Sequence, residues 1–254
     1  MSSADTDSDP DTGWFVYGVV DARATVPAGL TGLDEAPVRR HEHGRVGVLV
    51  SPLVLDRPPG RGADLKAYLK VLDTVAESGG PVAPVRFGSM LDDEDALTHE
   101  LLEPQEDYFV DLLEGLRGRC QLVVQGLYEQ QLLLSAVIES DPEIAELRAL
   151  TMDLPEDVAY AERVRLGELV ARAVEDRQLS DADLVLAEVA PLCDAVVERS
   201  VAGLERVLDA ALLVSEDRRE ELEVRLERLA EELHPHIRLQ LRGPMAPYDF
   251  VGGE

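Results

Sequence analysis

The sequence predicts an α+β protein of two domains, each built from one β-sheet and the helices packed on it. The chain has 254 residues, of which 45% are apolar, and this length can supply two separate hydrophobic cores. Short runs of apolar and β-branched residues indicate strands, whereas longer segments with leucine at every third or fourth position indicate helices. Only 4% of the residues are aromatic, so we expect cores made mainly of Leu, Val and Ala.

The first domain is predicted to span residues 14–118. Its first strand is the apolar run 14–20, and the segment 36–53 contains two strands around a turn at His43-Gly44. A further strand is predicted over 81–88, where the chain reads PVAPVRFG.

Two helical segments accompany these strands. The first ends at Gly79-Gly80 and carries apolar residues at the spacing of one helical face: Leu65, Leu69, Leu72 and Ala76. The second runs over 92–116 and contains Pro104, which should kink the helix or split it in two. The order of elements predicts a modified ferredoxin-like sheet with helices on one face.

The second domain is predicted to span residues 119–243. Its elements are, in order, a strand over 119–128, helical material over 129–190, a hairpin over 194–214, a helix after Ser215 and a closing strand over 236–243. This order matches the split βαβ plan, so we predict a ferredoxin-like α/β domain with a long helical insertion. Residues 1–13 are predicted to form a disordered acidic tail, and residues 244–254 a short C-terminal tail.

The charge of the chain excludes several partners. There are 51 acidic and 24 basic side chains, which gives a net charge of −27. Such a chain repels nucleic-acid phosphates and anionic membrane surfaces, so we predict that it binds neither. The N-terminal segment has no basic and apolar signal pattern, and no apolar run reaches membrane-spanning length. We therefore expect a cytoplasmic protein.

No motif in the sequence indicates catalysis. There is no glycine-rich phosphate loop, no G-x-S-x-G turn and no cysteine placed at a predicted helix N-terminus. The pairs His41 with His43 and His234 with His236 could contribute to a metal site, but both lie at the ends of elements, where histidines commonly contact solvent. We predict a protein without enzymatic activity, metal or cofactor, and with Cys120 and Cys193 reduced.

Arg86 is the one residue in a buried-looking strand that raises a question of catalysis. It lies in APVRFGSM (83–90), and no nucleophile, general base or nucleotide loop is near it in the sequence. We interpret Arg86 as a structural residue paired with a carboxylate, with Phe87 anchored in the core and Gly88 turning the chain towards the next helix. Contact with a partner protein is the alternative.

Five segments of the chain resemble the GvpL/GvpF family of gas vesicle proteins. They are WFVYGVV (14–20), HGRVGVLVSPL (43–53), APVRFGSM (83–90), VVQGLYEQ (123–130) and LRGPMAPYDFV (241–251). The most specific pieces are Pro84 to Gly88 and the closing segment with Gly243, Pro244, Pro247, Tyr248 and Phe250. The resemblance covers residues 14–251.

The resemblance implies an accessory protein of gas vesicle formation with a ferredoxin-like first domain and a second α/β domain. Such proteins are expected to bind the small hydrophobic shell protein and other accessory proteins, as nucleation or chaperone factors or as minor vesicle components. No catalytic residues belong to the family pattern. The candidates for a structural or partner role are Arg86, Phe87, Gly88, Gly243, Pro244 and Tyr248. We expect the first domain to bind the shell protein through its sheet or an edge strand. A metabolite-binding regulatory module of paired ferredoxin-like domains is the alternative.

Overall fold

The computed structural model describes residues 12–54, 58–155, 158–200 and 203–252. Residues 1–11 of the predicted acidic tail lie outside these ranges, and Thr12 and Gly13 already belong to the first strand. The chain divides into two compact units, one of Met1–Gln121 with Pro244–Glu254 and one of Leu122–Gly243. Each unit contains one antiparallel sheet with helices, which confirms the α+β class. The domain boundaries drawn from the sequence stay predictions.

The sheet of the first unit has five strands. They are β1 (Thr12–Asp21), β2 (Arg39–His43), β3 (Val46–Val54), β4 (Val82–Pro84) and β5 (Met90–Leu91). The order across the sheet is β2-β3-β1-β4, and β5 also pairs with β1. The strand predicted over 81–88 is therefore shorter than expected, because the chain leaves β1 after Pro84 and returns to it at Met90.

The helices of the first unit follow the strands closely. They are α1 (Gly62–Glu77), the short α2 (Glu94–Ala96), a π-helical turn (Leu97–Leu102), a 3₁₀ turn (Glu103–Gln105) and α3 (Glu106–Leu116). The second predicted helix is split at Pro104, as its missing N–H and fixed ring require.

The face that α1 buries differs from the predicted leucine stripe. Its buried side chains are Asp64, Tyr68, Val71, Leu72 and Val75, whereas Leu65 is 42% exposed. Asp64 lies on the buried side and caps the helix, accepting hydrogen bonds from the backbone N–H groups of Gly60 and Arg61, both at 2.9 Å. Tyr68 then lies one turn later on the core side.

A β-bulge in β1 directs its large side chains towards α1. The register against β3 shifts between Val16 and Gly18, so Tyr17 is the extra residue. As a result Phe15 before the shift, Tyr17 within it and Val20 after it join one core cluster with α1. The Tyr17 hydroxyl shares a 2.8 Å hydrogen bond with Ser51 and accepts the backbone N–H of Leu33 at 2.9 Å.

Both faces of this sheet are covered, whereas the sequence predicted helices on one face. Val16, Val19, Val48 and Val50 lie outside the α1 cluster and are nonetheless buried. The helix α3 packs against β1, β3 and β4, and the π-helical turn packs against β3. The physical reason is that the strands are apolar on both sides, and a sheet with two apolar faces needs a layer on each.

The second unit contains a four-stranded sheet in the order β7-β8-β6-β9. Its elements are β6 (Arg119–Tyr128), α4 (Gln130–Ser140), α5 (Pro142–Met152), α6 (Tyr160–Val189), β7 (Ala195–Glu198), β8 (Arg206–Ser215), α7 (Glu216–Leu233) and β9 (Ile237–Met245). The three helices α4, α5 and α6 form the predicted insertion. The strand β8 is buried from Val207 to Val214, since α6 and α7 both pack against it. Among the described residues, no helix has both the length and the apolar character needed to cross a bilayer.

Replacing Tyr17 with Phe should lower the free energy of unfolding by about 1–3 kcal/mol, because the Leu33 N–H and the Ser51 hydroxyl would be buried without their partner. Urea unfolding measures this loss. The matched control is Tyr108→Phe, whose side chain is 49% exposed and which should change stability by less than about 0.5 kcal/mol. Equal stability of the two variants would contradict the role given to the Tyr17 hydroxyl.

Candidate functional site

The two most specific motif segments meet at one place in the first unit, although more than half of the chain separates them. The ring of Phe87 lies 5.3 Å from the ring of Tyr68, and the ring of Tyr248 lies 6.3 Å from it. Phe15 and Tyr17 complete this group on the sheet side. We call Phe15, Tyr17, Tyr68, Phe87 and Tyr248 the aromatic cluster.

The segment 85–89 is a turn that leaves β1 and returns to it. The N–H of Val85 donates to the carbonyl of Tyr17 (2.9 Å), and the N–H of Val16 donates to the carbonyl of Ser89 (3.0 Å). Both ends of the turn are therefore hydrogen-bonded to β1 at the bulge. The turn closes with the N–H of Ser89 donating to the carbonyl of Arg86 at 3.1 Å. Gly88 has a φ of +92°, a conformation that side chains with a Cβ rarely adopt.

The side chains of this turn point in different directions. Phe87 packs against the α1 core cluster, as predicted. Arg86 is exposed, and in the described part of the chain no carboxylate forms an ion pair with it, so the expected salt bridge is absent there. The strand is short and ends before Arg86, which places the guanidinium in solvent instead of the protein interior.

The segment predicted as a C-terminal tail packs against α1. The N–H of Ala246 donates to Asp73 Oδ1 at 2.9 Å, and the Tyr248 hydroxyl donates to the same oxygen at 3.0 Å. Gln121 and Asp249 exchange two hydrogen bonds, from Gln121 Nε2 to Asp249 Oδ2 (2.6 Å) and from the Asp249 N–H to Gln121 Oε1 (3.0 Å). These contacts fix the chain end to the first unit.

Gly243 and Pro244 lie in the last part of β9, before this packed segment. Both are exposed, and Gly243 has a φ of +120°. The structure therefore brings Phe87 and Tyr248 together, while Arg86, Gly243 and Pro244 lie at the surface. Their role in binding a partner stays a prediction.

Sequence reasoning missed the residues that join the two segments. Tyr68 donates its hydroxyl to the carbonyl of Val85 at 2.6 Å, and Asp73 accepts from both Ala246 and Tyr248. Both lie on α1, outside its predicted leucine stripe. The available signal was Tyr68 itself, the one aromatic residue in that helix.

Burial determines the protonation of the cluster. It raises the pKa of Tyr68 to about 12. It also raises the pKa of Tyr17 above its usual value, against the opposing effect of the hydrogen bonds from Ser51 and Leu33. The pKa of Tyr248 is raised by burial and, next, by the nearby negative charge of Asp73. The three hydroxyls therefore stay protonated near neutral pH and serve as hydrogen-bond donors or acceptors.

His41, from the first histidine pair, has other contacts. His41 Nε2 lies 2.8 Å from Thr98 Oγ1, and His41 Nδ1 lies 3.9 Å from a carboxylate oxygen of Glu94. Within the described ranges, no group of three His, Cys, Asp or Glu side chains is arranged to hold a metal ion. Burial raises the pKa of the Cys193 thiol to about 11, which keeps it protonated and unreactive.

The tyrosines predict a loss of stability in alkali. Because burial raises their pKa values above that of an unfolded tyrosine, about 10, the folded state holds these protons more tightly than the unfolded state. The stabilising contribution is complete below about pH 10 and is lost as the pH rises towards the pKa of about 12 of Tyr68. Urea unfolding at a series of pH values from neutral to strongly alkaline should show this decline.

Tyr248→Phe should make the alkaline decline shallower, since one titrating group with a raised pKa is removed. Tyr108→Phe, at an exposed position, should leave the decline as it is in the unsubstituted chain. A decline of the same steepness in all three proteins would contradict the contribution of the cluster.

Comparison with known proteins identifies the family. The family model described as gas vesicle synthesis protein GvpL/GvpF matches residues 13–252. Gas vesicle protein F of Streptomyces sp. (strain CB03234) is 31% identical, over 93% of this chain and 98% of that protein.

Two crystal structures of GvpF show the same fold. The protein from Anabaena sp. PCC7120 has a TM-score of 0.82 at 21% identity, over 96% of this chain and 99% of that one. The protein from Microcystis aeruginosa has a TM-score of 0.77 at 22% identity, over 95% and 99% of the two chains. The match extends through both units and includes the turn at Phe87 and the segment at Tyr248, and the chain therefore belongs to the GvpL/GvpF family of gas vesicle synthesis proteins.

Proposed function

We propose that this protein takes part in gas vesicle formation by binding the small hydrophobic shell protein before or during assembly, in the cytoplasm and at the growing vesicle. The observation that carries the proposal is the family match over residues 13–252, nearly the whole chain. The protein would act as a nucleation or chaperone factor, or remain as a minor component of the vesicle. Contacts with other gas vesicle accessory proteins belong to the same proposal.

The charge of the chain supports this role. A small apolar shell protein tends to aggregate before it is assembled, and a binding protein must keep the complex dispersed. The net charge of −27 provides mutual repulsion between such complexes, because strong net charge favours solubility.

The first unit offers a strand edge to the shell protein. Helices cover both faces of its sheet, so a partner that adds to this sheet has to do so at an edge. At one edge, β4 and β5 are short and separated by the turn 85–89. At the other edge lies β2, five residues long and without interruption. We propose β2 as the edge that pairs with the shell protein.

The register of β2 shows which of its backbone groups are available. His43 pairs with Val46 across a two-residue turn, and Glu42 pairs with Gly47. The closing pair of such a hairpin is hydrogen-bonded and the next pair is not, so the N–H and C=O of Glu42 point away from β3. Glu42 is also exposed, so its backbone can be changed without disturbing the core.

Glu42→Pro should weaken binding of the shell protein, because it removes the outward N–H, whereas Glu42→Ala should leave binding nearly unchanged. The loss expected is about 1–2 kcal/mol of binding free energy, the order of one hydrogen bond left without its partner. Co-purification of tagged chain with shell protein, quantified for both variants, measures it. Equal binding by the two variants would exclude pairing at Glu42.

The function as a whole is tested by deletion of the gene. Cells without the protein should form few or no gas vesicles, and expression of the intact chain should restore them. Normal vesicles in the deletion strain would overturn the proposal. The alternative hypothesis, a metabolite-binding module, would then be tested by thermal-shift measurements of the purified chain with amino acids and nucleotides.

A further inference from the structure

The end of the helical insertion carries an apolar surface that the fold does not use. Six large apolar side chains between positions 150 and 164 are exposed by 42% to 69%. They are Leu150, Met152, Leu154, Val158, Tyr160 and Val164. We call these six side chains the insertion patch. By comparison, the described part of the first unit exposes only Leu65, Met90 and Tyr108 to a similar degree.

The members of the insertion patch lie at one end of the helical insertion. The guanidinium of Arg163, in the first turn of α6, donates to the carbonyls of Thr151 (3.1 Å) and Leu154 (3.0 Å) at the end of α5. Tyr160 and Val164 are one helical turn apart and therefore share a face of α6. The start of α6 is thus held against the end of α5.

The core does not explain these residues. On α5 the buried side chains are Ile144, Leu147 and Thr151, so this helix already has an inward face. A helix at a protein surface normally has polar residues on its outer side, yet Leu150 and Met152 are 63% and 68% exposed. An exposed apolar group of this size typically marks a binding surface.

The charges around the insertion patch define the partner. The described residues of 143–168 include five acidic and three basic side chains, and Arg165 pairs with Glu143. The whole chain has a net charge of −27. An apolar surface in such an acidic setting is complementary to an apolar face flanked by lysine or arginine. The same negative charge opposes a second copy of this chain and an anionic membrane.

We propose that the insertion patch is a docking surface for a basic amphipathic helix of another protein. The apolar face of that helix covers Met152 and Tyr160, and its basic residues face the acidic side chains of this part of the insertion. This surface lies in the second unit. It is separate from the β2 edge and does not depend on shell-protein binding there.

A model peptide tests the proposal on the purified full-length chain. The probe is a fluorescent amphipathic helix of about 18 residues, or five turns, made of leucine and lysine, and its counterpart replaces every lysine with glutamate. Fluorescence anisotropy should show binding of the lysine peptide and none of the glutamate peptide. Equal binding of both peptides would show that the patch does not distinguish a basic from an acidic helix, and would overturn the proposal.

A double substitution separates apolar docking from simple charge attraction. Met152→Glu with Tyr160→Glu adds negative charge and would strengthen a purely electrostatic attraction, but it should weaken binding of the lysine peptide by about tenfold or more. The matched control is Leu65→Glu with Tyr108→Glu, the same charge change at exposed positions of the first unit, which should not weaken it. Unchanged binding in the first variant would overturn the proposal.

Three further measurements complete the test. Met152→Gln with Tyr160→Gln, which adds no charge, should also weaken binding, and circular dichroism should show that both variants remain folded. Analytical ultracentrifugation should find the unsubstituted chain monomeric. A dimer that dissociates on the Met152 and Tyr160 substitutions would show that a second copy occupies the patch, and would overturn the assignment to a basic helix.

Discussion

The first unit depends on the extra residue in β1. Because Tyr17 shifts the register against β3, apolar side chains on both sides of the shift face α1, and the alternation of a regular strand could not achieve this. The hydroxyl of Tyr17 then needs partners in a dry interior, and Ser51 and the N–H of Leu33 supply them. A methyl group at Gly32 would lie 1.8 Å from this hydroxyl oxygen, so the loop can pass there only as glycine.

The same bulge explains why the motif segments matter to the fold. The bulge lets the turn 85–89 attach to Tyr17 and Val16, and the turn delivers Phe87 to the aromatic cluster. Tyr68 binds that turn through Val85, and Asp73, on the same helix, binds the C-terminal segment through Ala246 and Tyr248. The most specific family motifs thus hold the first unit together. The surfaces proposed for partners lie elsewhere, at β2 and at the end of the helical insertion.

Only part of this site could be predicted from the sequence. Phe87, Gly88 and Tyr248 were found because they lie in short, specific motifs, and Phe87 packs, partly buried, against the core cluster. Tyr68 and Asp73 were missed because leucine spacing on α1 indicated a face that the structure leaves partly exposed. The expected ion pair of Arg86 assumed a continuous strand, but the chain departs from β1 before that residue.

The sequence by itself determined the α+β class, nearly all strands and helices, and the break at Pro104, since periodicity and proline chemistry act over a few neighbouring residues. Only the tertiary structure decided which face of α1 is buried, that both faces of the first sheet carry helices, and that the last residues return to the first unit. Those outcomes depend on contacts between residues far apart in the chain, such as Gln121 with Asp249 and Asp73 with Tyr248. A local pattern does not contain the partner of a buried polar group.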